Sequence, residues 1–425
     1  MLLLIQNGTV INPADQTETA ADVLVEDGII KKIAPKQKVK ADRVVDATGC
    51  YVMPGFIDMH VHLRDPGQEH KETVETGAKA AACGGFTTIV AMPNTKPVVD
   101  NADVVHYVHN KASDVRLINI LQTGAVTKGQ RGEELSDIEA MVEAGIPALS
   151  EDGKTVMNSQ LYREAMTLAV KYDIPVLAHC EDSNMVRNGV VNADKTMKKM
   201  GFAGISNAVE DVIVARDIML AKDTGAALHL CHCSTRDSVR MIELAKNEGI
   251  RVTAEVCPHH FSLTSADIPA DDANYKMNPP LRSKADVEAL RKGLKDGIID
   301  VIATDHAPHT PIEKGLGIKK APFGIVGLET AASITMTELV DKGYLTIMQM
   351  AEKMSYNPAK ILGLDKGAVE EGKAADLVVF HPKKQYVIDP AEFKSKGRNT
   401  PFAGKKVKGM VMATIANGRV LYERT

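Results

Sequence analysis

Residues 55–62 read Gly-Phe-Ile-Asp-Met-His-Val-His, an apolar run that ends in two histidines separated by one residue. Successive side chains of a β-strand point to opposite faces, so the imidazoles of His60 and His62 share one face at the strand end. Such a pair can hold one divalent ion, and neutral imidazole suits zinc and other transition metals. A pair of hydrogen-bonded core histidines would show the same spacing, so the rest of the chain has to decide between the two interpretations.

The segment 54–366 continues this pattern, because strand-like apolar runs alternate with stretches of helical periodicity. We expect eight strands, at 56–62, 87–92, 117–122, 148–150, 175–179, 227–231, 251–256 and 300–304. The helical stretches include 159–172, 208–224, 234–248 and 284–295. Eight strands alternating with helices predict an α/β fold, a parallel (β/α)8 TIM-like barrel. An open doubly wound sheet is the alternative, but residues 62–67 (His-Leu-Arg-Asp-Pro-Gly) lack its glycine-rich phosphate loop.

Both ends of the chain are rich in short strands instead. Residues 1–53 contain strand-like runs at 2–6, 23–26, 29–33 and 43–46, and residues 367–425 contain them at 376–380, 407–413 and 419–422. The dipeptides Asp27-Gly28 and Asn417-Gly418 are typical of tight hairpin turns. We therefore predict that residues 1–53 and 367–425 combine into one small β domain beside the barrel of residues 54–366.

The composition is that of a globular protein, because 44% of the 425 residues are hydrophobic, 25% are charged and the net charge is -4. This balance gives no overall basic field for nucleic acid. No apolar run approaches the roughly 20 residues of a membrane span, and the first residues lack the features of a secretion signal, so we expect a cytoplasmic protein. We expect no disulfide framework among the six cysteines. The sequence Cys231-His232-Cys233 also lacks the paired CxxC spacing of a zinc–thiolate site.

Four further apolar runs end in side chains that can bind a metal ion. These side chains are His179, His232, Asp305 and Asp152. With the run 55–62, five apolar runs end in a side chain that can bind a metal ion, which is more than chance would supply. The C-terminal ends of barrel strands meet at one rim, so we expect these imidazoles and carboxylates to surround the barrel mouth.

Three other histidines follow or lie in strands but fit a ligand role less well. His229 is three residues before His232, so we expect it to face the helices and to be structural. His259 and His260 follow Pro258, which bends the chain away from the strand, so we expect a structural or supporting role for both.

Several motifs together resemble one enzyme family. Residues 54–64 (Pro-Gly-Phe-Ile-Asp-Met-His-Val-His-Leu-Arg) are similar to the first-strand signature of the amidohydrolase superfamily. The chain resembles the long bacterial (class I) dihydroorotases in four further segments: 62–67, 91–95 (Ala-Met-Pro-Asn-Thr), 277–282 (Met-Asn-Pro-Pro-Leu-Arg) and 303–309 (Ala-Thr-Asp-His-Ala-Pro-His). The similarity extends over nearly the whole chain. It implies a (β/α)8 barrel with a small β-sandwich formed by both termini.

The resemblance also implies an activity and a metal centre. The activity is the reversible cyclisation of N-carbamoyl-L-aspartate to (S)-dihydroorotate with loss of water, the third step of de novo pyrimidine biosynthesis. The implied zinc ligands are His60, His62 and Asp305 for a first ion and His179 and His232 for a second. Asp152 would bridge the two ions together with a hydroxide. Glu151 and a carboxylated Lys154 are the alternatives for the bridge.

The chemistry explains why such residues are needed. A cyclic amide is a poor electrophile and water is a weak nucleophile, and zinc corrects both faults by acidifying bound water and polarising a carbonyl. Asp305 is the expected catalytic proton carrier. Arg64, two residues after His62, would grip the substrate α-carboxylate with its planar guanidinium. The other substrate-binding residues implied by the resemblance are His62, Asn94, Asn278, His309, Phe323 and Gly324.

Alternative interpretations remain for these residues and for the whole chain. Arg64 could form a surface salt bridge, and Asn94 and Asn278 could be turn residues. The protein could be a hydantoinase or allantoinase, although those relatives use a carboxylated lysine and substrates without the α-carboxylate. It could also be an inactive scaffold for aspartate transcarbamoylase, although such copies typically lose metal ligands. A homodimer is expected, and the sequence does not decide whether the chain contacts aspartate transcarbamoylase.

Overall fold

The computed structural model describes residues 1–424 and contains the predicted barrel. Its eight strands are Phe56–Val61, Phe86–Ala91, Asn119–Gln122 continued by Gly124–Ala125, Leu149–Ser150, Val176–Ala178, Leu228–Leu230, Val252–Val256 and Val301–Ile302. Each strand pairs with the next in parallel register. The ring closes where Val61 bridges His306 and the backbone N–H of His62 donates to the carbonyl of His306 at 2.8 Å.

Helices pack around the barrel. Those between the strands are Val74–Cys83, Ala102–Val115, Ile138–Glu143, Ser159–Lys171, Ala208–Thr224, Arg236–Asn247 and Lys284–Lys295. After the last strand come Ala331–Thr335, Met336–Val340, Ile347–Ala351, Glu352–Tyr356 and Asn357–Ile361, two of which are π-helical turns. The side chains of Asn101, Thr235 and Ser283 accept backbone N–H groups at helix starts. These caps explain where the three helices begin.

Short elements occupy the loops that follow the barrel strands. The helical ones are Lys128–Gln130, Ser183–Val186, Lys195–Lys199, Pro258–Ser262, Ser265–Asp267, Ala273–Tyr275, Pro311–Lys314 and Gly317–Lys320. A two-stranded parallel ladder joins Val191–Asn192 to Gly204–Ile205. These loops leave the carboxyl ends of the strands, so they build the mouth of the barrel.

The two ends of the chain form a single eight-stranded sheet. Its strands are Leu2–Asn12, Thr17–Glu26, Ile29–Ala34, Arg43–Asp46, Tyr51–Pro54, Leu377–Val387, Lys406–Ala416 and Arg419–Glu423, with a short helical turn at Pro390–Glu392. Leu377–Val387 pairs antiparallel with Tyr51–Pro54 and thereby joins the termini. The hairpins predicted at Asp27-Gly28 and Asn417-Gly418 are both present. The predicted fold class, a barrel with a β domain from both termini, is confirmed.

The apolar residues form separate cores. Ile5, Val52 and Val379 belong to the core of the terminal sheet. Met59, Leu177 and Val301 belong to a cluster contributed mainly by the barrel strands, and a larger cluster contains residues of both strands and helices. All six cysteines are free thiols. Within residues 1–424, no helix combines the length and the apolar character that crossing a membrane requires.

Candidate metal centre and substrate cleft

Asp152 lies where four imidazoles converge. Its Oδ1 is 3.2 Å from His60 Nε2, 3.5 Å from His179 Nδ1 and 3.6 Å from His232 Nε2. Its Oδ2 is 3.5 Å from His62 Nε2. Each of these side chains comes from a different strand end except for the His60 and His62 pair, so the barrel closure brings them together.

Asp305 lies on the side of this cluster nearest to the first strand. Its Oδ1 is 2.9 Å from His62 Nε2 and 3.6 Å from His60 Nε2. Across the cluster, His179 Nδ1 and His232 Nε2 are 2.8 Å apart. The structure therefore brings together all six side chains that the sequence indicated as metal ligands.

The donor set fits divalent metal ions. His60 Nε2, Asp152 Oδ1, His179 Nε2 and His232 Nδ1 are buried and have no hydrogen-bond partner among residues 1–424. Buried polar atoms are normally satisfied, so the unpaired ring nitrogens and carboxylate oxygen fit side chains that bind a metal ion. The ligand atoms of His60, His62 and Asp305 lie within 4.8 Å of one another, as do those of His60, Asp152 and His232. Imidazole nitrogens and carboxylate oxygens are common zinc ligands.

The alternatives to Asp152 point away from the histidines. Glu151 Oε2 accepts the backbone N–H groups of Val126 and Thr127 at 3.0 and 3.1 Å, and its Oε1 accepts the hydroxyl of Thr127. Lys154 Nζ donates to the carbonyl of Gln130 at 3.0 Å. Both side chains are thus committed to the loop that follows the third barrel strand.

Electrostatics at the centre favour ionised carboxylates. Burial by itself would raise the pKa of Asp152, but His60 and the neighbouring imidazoles of His179 and His232 hold that pKa well below its ordinary range. Burial likewise opposes ionisation of Asp305, and the hydrogen bond from His62 lowers its pKa overall. Carboxylates bind metal ions in their ionised form, so the lowered pKa values of Asp152 and Asp305 favour cation binding.

Glu255 is a site residue that the sequence did not reveal. It belongs to the strand Val252–Val256 and is fully buried. Its Oε1 is 2.8 Å from His60 Nδ1 and accepts the backbone N–H of His232 at 3.1 Å. Because Glu255 binds the Nδ1 atom, it orients His60 with Nε2 toward Asp152. The only sequence signal was a lone acidic residue inside an apolar strand.

The prediction that His229 faces the helices is wrong. His229 Nε2 is 3.1 Å from Glu255 Oε2, and His229 Nδ1 is 2.9 Å from Thr253 Oγ1, so His229 shares the face of the strands on which Glu255 reaches His60. The alternation argument fails because His232 has a φ of 34° and lies beyond the end of Leu228–Leu230. That turn redirects the His232 side chain, so both histidines can point inward.

A cleft lies above the donor cluster. It is lined by all seven residues that the resemblance assigned to the substrate, His62, Arg64, Asn94, Asn278, His309, Phe323 and Gly324, together with Asp152, Gly153, His179, His232, Asp305 and Ala307. Arg64 Nε is buried without a hydrogen-bond partner, and among residues 1–424 the guanidinium makes one polar side-chain contact, Nη2 to His309 Nε2 at 3.4 Å, and none to a carboxylate. Arg64 is thus a cation in a cleft with an unused donor.

The other cleft residues are held by contacts that the motifs did not specify. Asn94 Oδ1 is 2.9 Å from His62 Nδ1, and its Nδ2 donates to Asp152 Oδ2 at 3.2 Å, so Asn94 links two members of the donor cluster. Asn278 Nδ2 donates to Glu181 at 2.5 Å. His309 Nε2 is 2.8 Å from the carbonyl of Phe323 and 3.4 Å from Arg64 Nη2.

His259 and His260 are buried in the short helix Pro258–Ser262 and do not line the cleft. His260 Nε2 is 2.9 Å from the carbonyl of Pro279. Burial lowers the pKa of His260 to about 3, so this imidazole is neutral. Its contact ties the loop after the seventh strand to the segment that carries Asn278.

The chain is similar to known proteins in both sequence and fold. The model of the family described as "Dihydro-orotase-like" matches residues 49–238. A dihydroorotase of Pelotomaculum thermopropionicum is 48% identical over 424 residues, which cover 100% of this chain and 99% of the relative. A dihydroorotase of Clostridioides difficile is 46% identical, with 99% and 100% covered. Among solved structures, the L-hydantoinase (dihydropyrimidinase) from Arthrobacter aurescens aligns with a TM-score of 0.88 at 28% identity, with 99% and 96% covered.

Proposed function

Because the chain belongs to the dihydroorotase family, we propose that it catalyses the reversible cyclisation of N-carbamoyl-L-aspartate to (S)-dihydroorotate in pyrimidine biosynthesis. The observation that carries this choice of substrate is the position of Arg64, a guanidinium without a carboxylate partner in the same cleft as the donor cluster. Both the open and the cyclic substrate keep a free α-carboxylate throughout the reaction. A planar guanidinium matches that group with two parallel hydrogen bonds.

We propose that the centre takes two zinc ions, with Asp152 as the bridging carboxylate. Support comes from the four imidazoles around Asp152 and from the commitment of Glu151 and Lys154 to other partners. His60, His62 and Asp305 would hold one ion, and His179 and His232 the other. When bound, the ions would acidify a water molecule and polarise the carbonyl under attack.

The residues of the chain then divide the remaining work. Arg64 anchors the α-carboxylate, which fixes the ring relative to the carboxylates of the centre. Asp305 carries a proton on Oδ1: in ring opening it takes the proton from water and returns it to the leaving nitrogen, and in ring closure it acts in the reverse order. Asn94 fixes the positions of the His62 and Asp152 side chains relative to each other through its two hydrogen bonds.

Hydantoinase activity is the second candidate function, because solved structures with a similar fold include hydantoinases. Those are 27–28% identical, whereas the dihydroorotases are 46–48% identical over the full chain. A scaffold without activity is disfavoured because all six metal-competent side chains are present and lie together.

A substrate panel tests the proposal. Purified protein is assayed with dihydroorotate, N-carbamoyl-L-aspartate, hydantoin and allantoin, with and without chelator, alongside metal analysis. We expect turnover of the first two substrates only, loss of activity with chelator and recovery with zinc. Turnover of hydantoin or allantoin, with no turnover of dihydroorotate, would favour the second candidate function. No turnover together with no metal uptake would support the scaffold.

The assembly and the division of the chain also belong to this proposal. We propose a homodimer, the commonest closed assembly, and a division into a barrel of residues 54–366 and a domain of residues 1–53 plus 367–425. Sedimentation of the purified protein, alone and with aspartate transcarbamoylase, measures both the subunit number and any contact between the two enzymes.

A further inference from the structure

The wall of the cleft formed by residues 321–324 is held from behind by a buried lysine. Phe323 and Gly324 line the cleft, whereas Lys314 lines a separate cavity on the other side of His309. Lys314 is the last residue of the short helix Pro311–Lys314 and is 8% exposed. It therefore supports the wall without lining the cleft itself.

Lys314 Nζ makes three hydrogen bonds, all to backbone carbonyls. The acceptors are Gly324 at 2.8 Å, Pro322 at 3.1 Å and Lys276 at 3.2 Å. Only a protonated amine has three N–H bonds for three acceptors. Burial lowers the pKa of Lys314 to about 7, while the carboxylates of Asp272 and Glu313 act in the opposite direction. Burying an amine is costly unless it is hydrogen-bonded, so a buried lysine whose three contacts all go to this wall calls for a role.

The carbonyls that Lys314 binds belong to the cleft wall and to the segment before it. Gly324 donates its N–H to the carbonyl of Lys276 at 3.0 Å, so the two segments are already paired. Lys276 Nζ donates to the carbonyl of Ala321 at 2.6 Å and lies 4.4 Å from the centre of the Phe323 ring. Asn399 Nδ2 also donates to the carbonyl of Gly324, at 3.0 Å. Lys314 Nζ therefore connects the wall, through Pro322 and Gly324, to the segment that contains Lys276.

The wall contains a backbone conformation that glycine adopts readily and other residues rarely do. Gly324 has a φ of +126°, and a Cβ at this position would lie 2.6 Å from Ala307 Cβ. The carbonyl of Phe323 is 2.8 Å from His309 Nε2, and His309 lies against Arg64. A shift of the wall would therefore move His309 and change the setting of the guanidinium.

We propose that Lys314 is a positioning residue that sets residues 321–324 as the cleft wall and thereby determines substrate affinity. The proposal rests on the proposed function for its kinetic readout only. Its structural readout, the hydrogen exchange of the backbone amides in 321–326, does not depend on which substrate the enzyme uses.

The test compares Lys314→Met with the exposed control Lys320→Met, both loaded with zinc. For Lys314→Met we expect amide protection in 321–326 to fall and KM for dihydroorotate to rise by about tenfold. We expect kcat to change much less and zinc content to equal that of the wild type. Lys320→Met should match the wild type, because Lys320 is exposed at the end of the neighbouring helix Gly317–Lys320. Lys314→Arg, which keeps a charged donor, should recover part of the affinity.

Unchanged KM and unchanged amide exchange in Lys314→Met would overturn the proposal. An equal fall in kcat and zinc content would also overturn it, since that pattern means general damage to the centre. If Lys314→Met does not fold, Lys314→Gln, which keeps two N–H bonds, decides the question by the same two measurements. If the wild type does not turn over dihydroorotate, the proposed function fails, and the exchange measurement still tests Lys314.

Discussion

Single side chains at the barrel mouth take their orientation from partners far away in the chain. His60 is turned by Glu255, and His62 is held between Asn94 and Asp305. Imidazole has two nitrogens, and the partner on one of them decides which way the other points. The chemistry of this centre therefore depends on pairs of residues more than on any one histidine.

Asp305 is the residue whose loss should stop the reaction. We expect Asp305→Ala to lower kcat by about 10²–10⁴-fold, the usual contribution of a positioned proton carrier. The fold should persist, because the carboxylate of Asp305 serves the cleft and is not part of an apolar core. Steady-state kinetics and circular dichroism check both statements, with the exposed Asp296→Ala as control. Normal turnover in Asp305→Ala would remove the role given to this residue.

Arg64 should act on binding more than on the chemical step. Replacement by Met leaves the substrate carboxylate without its partner, which should cost about 2–5 kcal/mol of binding free energy. We expect the loss to appear mainly in KM. Arg64→Lys keeps the charge but not the planar fork, so its KM should lie between those of the wild type and Arg64→Met. If all three proteins have the same KM, Arg64 does not bind the substrate.

At the scale of elements, the start of the helix Ala208–Thr224 holds the loop that carries His232. Glu210 Oε1 accepts the N–H groups of Ser234 and Thr235 at 2.9 and 3.3 Å and the hydroxyl of Ser238 at 2.9 Å. Glu210 is 3% exposed, so these donors have no water to replace it. One buried carboxylate thus joins one helix to the beginning of the next.

Removing this carboxylate should destabilise the protein. Because Glu210→Ala leaves buried donors unsatisfied, the free energy of unfolding should fall by about 2–3 kcal/mol. The control is Glu243→Ala on the neighbouring helix Arg236–Asn247, where the side chain is exposed. Urea denaturation followed by circular dichroism measures both variants. Equal midpoints for the two would show that Glu210 does not hold the loop.

For the whole molecule, the barrel and the terminal sheet are joined around Asp376. Its Oδ2 accepts Asn119 Nδ2 at 3.2 Å, at the start of the third barrel strand, and its carbonyl accepts the N–H of Gly55 at 2.8 Å. Its Oδ1 accepts the N–H of Asn417 in the last hairpin at 2.7 Å. One aspartate therefore connects the C-terminal part of the sheet to the barrel at the end opposite to the cleft.

Metal ions should stabilise this whole assembly, because the six donors come from separate strands and converge only in the folded chain. Binding at one hundred times Kd adds about 2.7 kcal/mol to the folded state. We expect chelator to lower the melting temperature by several degrees and added zinc to restore it. Calorimetry measures the shift, and magnesium serves as the control, since it prefers all-oxygen sites. Identical melting with and without chelator would contradict a zinc centre built from these side chains.

Much of this protein can be read from local pattern. Apolar runs alternating with helical periodicity were enough to predict the eight barrel strands and the shared β domain, because burial of one strand face is a local demand on the sequence. The polar side chains at the ends of five of these runs indicated the six candidate metal ligands in the same way. The helix predicted at 208–224 was found at those bounds, since its pattern of apolar positions is continuous.

Contacts between distant strands could not be read in this way. His60 and Glu255 are 195 positions apart, and the roles of Glu255 and Lys314 arise only when strands and loops meet. The direction of His229 was predicted wrongly because a single left-handed residue, His232, interrupts the alternation of the strand. Local spacing indicates which face of a regular strand a side chain occupies. The partner of each side-chain hydrogen bond, in contrast, is brought near only when the chain folds. The order of strands can therefore be predicted from the sequence, whereas the orientation of each imidazole and the contacts that support the cleft wall are decided by the tertiary structure.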